Sequence, residues 1–409
     1  MGYRSRVLAV VQAGGQGSRM DVLTRERAKP ALPFAGAYRL VDFAMSALSH
    51  SGISDVWLSV QYQAASLDPH LSGGRPWDLD RTRGGFRRVV PEQGTGGIEE
   101  GFAHGNADDL LSMRDDIERF DAEVVLVLSA DHVFALDLTA VVEAHLASGA
   151  DCTVVTADVT RTEARHNVVV LADRDGRVTG VEVKPSSPSA TRVAVEIVAY
   201  RPAALVGALD ELRRTLSDAG ELEDGGLGDF GEHLLPHLAG TGDVRTFPIG
   251  RYWRDVGRPE AYLAAHRDLI AGRIDALADR ENPVLSTMVK RAPGVVRAGA
   301  EVEDSVVGLG ADVRGRVVRS VLGPGVVVQA GAVVQDSVLF EDVVVETGAQ
   351  VRTAVVDVDV VVGRDAVVGA DAPSRNPRDK DIVLVGRQSR VSRGARVPAG
   401  ARLEPGTVV

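Results

Sequence analysis

Lysine is almost missing from this chain. Of 46 basic residues only Lys29, Lys184, Lys290 and Lys380 are lysines, and the other 42 are arginines. The bias suits a GC-rich coding sequence, and it makes each surviving lysine worth inspecting. Cysteine is scarcer still: Cys152 stands alone, which excludes an intrachain disulfide. No window approaches the ~18 uninterrupted apolar residues of a membrane-spanning helix. An excess of positive charge is also lacking. The net charge is −11, which argues against nucleic acid or an anionic membrane as the main partner, since both need a basic face. Met1 to Arg6 lead straight into an apolar run, Val7–Val11, and leave no room for a signal peptide, so a cytoplasmic protein is expected. What is present is 409 residues, 44% of them hydrophobic, enough for two domains and a large core.

The first ~270 residues read as alternating strand and helix. Val7–Val11 and Asp55–Val60 are strand candidates, and Glu123–Leu128 is a continuous apolar run of the kind buried on both faces of a parallel sheet. Tyr38–Ser49 and Ala107–Ile117 carry helical spacing. Pro202–Leu216 and Pro259–Ile270 each open with the proline favoured at a helix start. Asp78–Arg88 reads as a mobile charged loop. This is α/β architecture, with ligands expected at the carboxyl ends of the strands.

From Val295 onward helical periodicity vanishes. Branched apolar residues recur at Val296, Val302, Val307, Val313, Val317, Leu322, Val328, Val334, Leu339, Val345, Val351, Val356, Val362 and Val368, mostly in steps of five or six. A longer repeat overlies them: Asp304-Ser-Val-Val, Arg319-Ser-Val-Leu, Asp336-Ser-Val-Leu and Thr353-Ala-Val-Val. Three hexapeptides make one triangular coil, so a parallel β-helix is expected. The strands of a β-sandwich would alternate with period two. After a break at 372–380 the hexads return at Val385, Val391, Val397, Leu403 and Val409. The expected domains are 1–275 (catalytic), 276–294 (linker) and 295–409 (β-helix).

The stretch Gln12-Ala-Gly-Gly-Gln-Gly-Ser-Arg19 follows the first strand. Its glycines let backbone N–H groups approach a nucleotide closely. It is not a P-loop, since no Gly-Lys-Ser/Thr closes it, and Met20 occupies the third glycine position of a dinucleotide fingerprint. Tight strand-to-helix packing would explain the glycines alone. The continuation adds more: Arg27-Ala-Lys29-Pro30 places a lysine ten residues after Arg19, and the pair can bracket the phosphates of a triphosphate.

Together with Tyr38-Arg-Leu-Val-Asp-Phe43, Gln61-Tyr-Gln-Ala-Ala-Ser-Leu-Asp-Pro-His-Leu71, Ala130-Asp-His-Val133, Asp229-Phe-Gly-Glu-His-Leu-Leu-Pro236 and Tyr252-Trp-Arg-Asp-Val-Gly257, this pattern resembles the glucose-1-phosphate adenylyltransferase family. The resemblance spans nearly the whole chain. It implies a Rossmann-like mixed-sheet nucleotidyltransferase domain followed by a left-handed parallel β-helix. In the implied reaction a sugar 1-phosphate oxygen attacks the α-phosphorus of ATP or another nucleoside triphosphate, and pyrophosphate leaves. Two polyanions meet, so positioning and charge neutralisation dominate. By resemblance Arg19 would hold the leaving pyrophosphate and Lys29 the phosphates, while Asp131 and Asp255 would hold Mg²⁺. Ala13, Gly14, Gly15, Gly17, Gln93 and Gly105 would approach the nucleotide, and Lys184 would bind the phosphate of the sugar 1-phosphate. The resemblance also implies a homotetramer, or a hetero-oligomer with a homologue.

The departures gather on the sugar side. Val183-Lys184-Pro185 stands where the family usually has Glu-Lys-Pro, and Ala194-Val195-Glu196 where it usually has Ser-Met-Gly. Glu196 and His104 are the polar residues at hand to replace the lost partners of sugar hydroxyls. Three readings stay open: ADP-glucose synthesis for an α-glucan, the same chemistry on another sugar 1-phosphate or base, and a catalytically weak regulatory subunit. Cys152 reads as a small buried hydrophobe. His132, beside Asp131, could reach phosphate. Arg387, Arg390, Arg393, Arg396 and Arg402 interleave with hexad positions as the outer face of a coil, with a small anionic effector as the alternative use.

Overall fold

A computed structural model of the chain describes residues 6–15, 17–90, 103, 105–220, 226–374 and 376–409. They group into two compact units, each assembled from separate stretches. The first is Met1–Gly15, Phe43–Ala130 and Phe134–Trp253, and the second is Gln16–Asp42, Asp131–Val133 and Arg254–Val409.

The first unit is built on a nine-stranded mixed sheet. Its centre is Val7–Gln12, hydrogen-bonded in parallel to Asp55–Ser59 on one side and to Val124–Ser129 on the other. Leu8 to Val11 and Val124 to Leu128 are buried, as continuous apolar runs in a sheet covered on both faces should be. Arg192–Tyr200 then runs antiparallel to Val124–Ser129 and to Cys152–Asp158. The expected helix 107–117 is in fact two, Asn106–Ser112 and Arg114–Phe120, separated by Met113 at a non-helical φ of −97° and ψ of 3°. The expected loop 78–88 is also corrected. Gly85–Val89 forms the edge strand, parallel to Asp55–Ser59, and only 78–84 stay irregular. Among the described residues no helix is long and apolar enough to cross a membrane.

The second unit carries three parallel sheets of six short strands each, the stacking of a left-handed β-helix. One face stacks Val296, Val313, Val328, Val345, Val362 and Val391. The next stacks Val302, Val317, Val334, Val351, Val368 and Val397. The third stacks Val307, Leu322, Leu339, Val356, Val385 and Leu403. From the second coil these side chains are buried almost without exception, so each valine that points in removes a whole apolar side chain from water, about 1.5–3 kcal/mol apiece. After the strand Val367–Gly369 the next is Val383–Val385, and there the ladder resumes, Ala354 meeting Val383. Val409, the last hexad position, lies outside the strands and is 42% exposed.

The longer repeat has its own cause. Asp304, Arg319, Asp336 and Thr353 all take φ between +43° and +51°, the left-handed corner that turns one face into the next. After three of them a serine follows. The hydroxyls of Ser305, Ser320 and Ser337 accept the backbone N–H of Ser320, Ser337 and Ala354 on the next coil, each at 3.1 Å.

Besides the β-helix and Asp131–Val133, this unit contains a loop near the start of the chain and a helix ahead of the coils. The loop 17–40 is an irregular run of short turns; Tyr38–Arg39 pairs with Pro33–Phe34, and the helix expected from Tyr38 starts at Val41. Asp42 explains the late start, because its carboxylate accepts the Arg39 N–H at 2.8 Å. Pro259–Ile270 is helical, with the bounds expected from its proline.

Candidate active site

In the first unit the glycine loop leaves the carboxyl end of the central strand. Gln12 ends that strand, the Ala13 N–H is bonded to the Ser59 carbonyl at 2.8 Å, and Gly14 lies against the Gln61 amide. Gly15 is exposed. Beneath them sits a carboxyl group that the motif analysis missed. Asp109, 3% exposed, accepts from Ser59 Oγ at 2.6 Å, Gln12 Nε2 at 3.0 Å and Gln61 Nε2 at 3.3 Å. Burial pushes its pKa up, against the pull of those three donors. The hub ties the ends of two neighbouring strands to the first turn of the helix at 106. The only signal for it in the sequence was a second aspartate after Asp108.

Gly105 has a packing reason of its own. Its φ is +110°, and a Cβ there would overlap the backbone of Gly228. Gln93 and His104 lie outside the described residues. Lys184 follows the strand Val178–Val183, is half exposed, and stands 3.6 Å from the Asp229 carboxylate. That contact brings the Lys-Pro and Asp-Phe-Gly-Glu segments together.

In the second unit the structure brings together Lys29, Asp131 and Asp255. Lys29 opens a short turn, Lys29–Ala31, stiffened by Pro30. Its ammonium is bonded to Asp131 Oδ2 and lies 3.9 Å from Asp255 Oδ1. His132, buried, places Nε2 3.5 Å from Asp131 Oδ1 and 3.9 Å from Asp255 Oδ1. Asp255 Oδ1 also accepts the Gly257 N–H at 2.7 Å. Gly257 is needed for this geometry, because a Cβ there would stand 2.5 Å from Lys29 Nζ. Burial works against the Lys29 charge, but Asp131 and Asp255 overcome it and hold its pKa above the ordinary value. Burial also opposes the Asp255 carboxylate, yet Lys29 and His132 keep its pKa low. The cluster therefore holds the Lys29 ammonium between two carboxylates, each about a fifth exposed. Gly17 begins the turn before it, its carbonyl accepting Thr24 Oγ1 at 2.9 Å. Arg19 is exposed, with its charge close enough to bear on Lys29.

Residues 8–272 match the nucleotidyl transferase family, and residues 286–398 the GlmU-like C-terminal hexapeptide family. The glucose-1-phosphate adenylyltransferase of Clostridium perfringens (strain 13) is 34% identical over 335 residues, 81% of this chain and 83% of its own length. The chain belongs to the glucose-1-phosphate adenylyltransferase family. The enzymes of that name from Thermotoga sp. (strain RQ2) and Clostridium acetobutylicum are 34% and 31% identical, over 80% and 81% of this chain and 76% and 85% of their own lengths.

Nucleotidyltransferases of this family generally work with a divalent metal. The donors in the second unit fit one: two accessible carboxylates offer hard oxygen, and no thiol competes. Against the family pattern Glu196 stands out. Its φ is +55°, and the pairing of its strand with Cys152–Asp158 breaks register between Ala194 and Val198. The backbone keeps the left-handed turn of a glycine while carrying a glutamate.

Two other sequence readings find their place. Cys152 is buried and its thiol pKa is pushed up by that burial, so it is an inert core residue. Among the tail arginines, Arg387 lies 3.8 Å from Glu26, and Arg402 pairs with Asp21 and Asp379. A cavity of about 750 Å³ in the second unit is lined by Arg267, Arg273 and Arg319, but these are ion-paired, the first and last with Asp336 and Arg273 with Asp268.

Proposed function

We propose that this protein makes ADP-glucose and pyrophosphate from ATP and α-glucose 1-phosphate, for an α-glucan such as glycogen. The observation that carries the reading is the Lys29–Asp131–Asp255 cluster in a chain of this family. A phosphate oxygen of the sugar phosphate attacks the α-phosphorus of ATP, and the bond to the β-phosphate oxygen breaks. Asp131 and Asp255 would hold Mg²⁺, which neutralises phosphate charge when bound. Lys29 would offer a positive charge, held by Asp131 and Asp255, to the triphosphate. Arg19, exposed, suits the departing pyrophosphate. Lys184, drawn to Asp229 at 3.6 Å, would release that weak pair for the phosphate of the sugar. Ala13, Gly14, Gly15, Gly17, Gln93 and Gly105 are proposed to border the nucleotide. A cytoplasmic homotetramer is proposed on the family resemblance.

A second reading keeps the chemistry and changes the sugar. Glu196 puts a carboxylate on a backbone turn that suits glycine, and Val183 and Ala194 offer no side-chain hydrogen bonds where the family has glutamate and serine. Losing a polar partner to a buried hydroxyl costs about 1–3 kcal/mol. The test is pyrophosphate release with Mg²⁺ against a panel of nucleoside triphosphates and sugar 1-phosphates. Turnover with ATP and glucose 1-phosphate above all other pairs supports the first reading, and preference for another sugar supports the second. No turnover with any pair overturns both.

A further inference from the structure

The loop that carries Lys29 is held by the β-helix, and one contact is of a different kind from the rest. At the surface Arg25 meets Glu404 at 3.2 Å, a pair that solvent weakens, and Arg39 meets Glu341 at 2.8 Å with side chains 25% and 20% exposed. Arg27 and Asp357 pair at 2.6 Å with side chains only 8% and 2% exposed. Asp357 sits on a coil, directly after the strand Ala354–Val356, and its Oδ1 also accepts the Val358 N–H at 2.6 Å. The Arg27 guanidinium lies 5.6 Å over the Phe340 ring, and its Nη1 is buried with no hydrogen-bond partner among the described residues. A guanidinium so placed depends on Asp357 for its compensation.

The pair is two residues from Lys29. Ala28 between them is extended, and Pro30 after Lys29 fixes the turn, so the backbone has little freedom to absorb a shift at Arg27. Whatever sets Arg27 sets where the Lys29 side chain starts on its way to Asp131 and Asp255. A buried ion pair is a poor source of net stability, since apolar residues of similar volume often serve as well. Its use here is placement: a charge pair has one geometry, and an oily contact has many.

We infer that Asp357, through Arg27, is a positioning residue for the phosphate-binding lysine, so that a β-helix coil forms part of the framework of the reaction site. This rests on the reading of Lys29 above. The test uses the full-length protein. ATP affinity is measured by calorimetry, and the KM values for ATP and glucose 1-phosphate by pyrophosphate release, for Asp357→Asn, for the apolar double variant Arg27→Met/Asp357→Leu, and for Lys29→Ala. The double variant removes both buried charges and keeps the packing volume, so it reports even where Asp357→Asn folds poorly.

The expected result is that the double variant unfolds within a few degrees of the parent, yet weakens ATP binding and raises the ATP KM about tenfold, in the direction of Lys29→Ala, with the sugar phosphate KM changed less than about twofold. A purely structural pair would lower the amount of active protein and leave both KM values alone. An unchanged ATP KM in the double variant, with Lys29→Ala impaired, overturns the positioning role. An unimpaired Lys29→Ala overturns the reading of Lys29 itself.

Discussion

Glu196 offers a substitution whose two effects can be separated. At φ +55° a residue with a Cβ is strained by roughly 1–2 kcal/mol, and glycine is not. Glycine gives back about 0.4–1 kcal/mol through the freedom it gains in the unfolded chain. Glu196→Gly should therefore be more stable than Glu196→Ala by about 1 kcal/mol, although glycine within a strand ordinarily destabilises. For a unit of a couple of hundred residues that is about 2 °C in thermal unfolding. Both variants lose the carboxylate equally, so their difference reports the strain less the unfolded-chain freedom of glycine. Kinetics report the other effect. If the carboxylate meets a sugar hydroxyl or amine, both variants should alter the sugar 1-phosphate KM by the same factor, about tenfold, for a lost buried hydrogen bond. The assays are differential scanning calorimetry and pyrophosphate release at varied sugar phosphate. An alanine variant more stable than the glycine variant by about 0.4–1 kcal/mol, the value set by chain freedom alone, would refute the strain. Parental KM values in both would remove Glu196 from the sugar site, whatever the calorimetry shows.

Asp131→Asn is expected to cut turnover at least about 100-fold, with a circular dichroism spectrum like the parent's, because it deletes a charge that the metal and Lys29 both use; unchanged turnover would refute the assignment. Lys184→Ala should raise the KM for the sugar phosphate far more than for the triphosphate, and an equal rise in both would take Lys184 out of its role. His266 should make stability pH-dependent. Buried, it accepts the Ala35 N–H at Nε2 and faces the Tyr262 carbonyl with Nδ1, and burial lowers its pKa to about 4 from 6.5. A neutral imidazole of lowered pKa contributes stability that is complete above pH ~6.5 and lost as pH falls toward 4, about 3 kcal/mol in all. Urea unfolding between pH 7 and pH 4 should show that slope, and His266→Gln should flatten it.

The β-helix was legible in the sequence to single residues, because the cause of the pattern is simple. A period set by three flat faces leaves a mark at every buried valine, and Val302, Val317, Val334, Val351 and Val368 need only be read in order. The corner residues were visible as a recurrence without a cause, which the serine ladder supplies. The first sheet was legible where strands are buried on both faces and illegible at its edge, where Gly85–Val89 is charged and half exposed. In the candidate site the proximity of Lys29 to Asp131 and Asp255 was implied by motif order alone, since their separations of 102 and 226 residues carry no periodicity. Asp109 was invisible for a different reason. Its partners Gln12, Ser59 and Gln61 lie on other strand ends, and a buried carboxyl among polar neighbours looks in sequence like any aspartate in a first helical turn.

The second unit has a consequence for the order in which the protein can be made. Its pieces are the loop near the start of the chain, three residues from the middle and everything from Arg254 to the end. Arg27 waits for an aspartate 330 residues downstream, and Arg25 for a glutamate 379 residues downstream. During synthesis from the amino terminus, the loop bearing Lys29 leaves the ribosome early and meets Asp357 and then Glu404 only when the later coils emerge. Closing contacts across so much chain is slow, and here it falls to the segment that carries the candidate chemistry. A nascent or truncated chain can thus build the first sheet long before it can hold its lysine in place. Emergence of the coil that carries Asp357, and later of Glu404, becomes the event that fixes that loop.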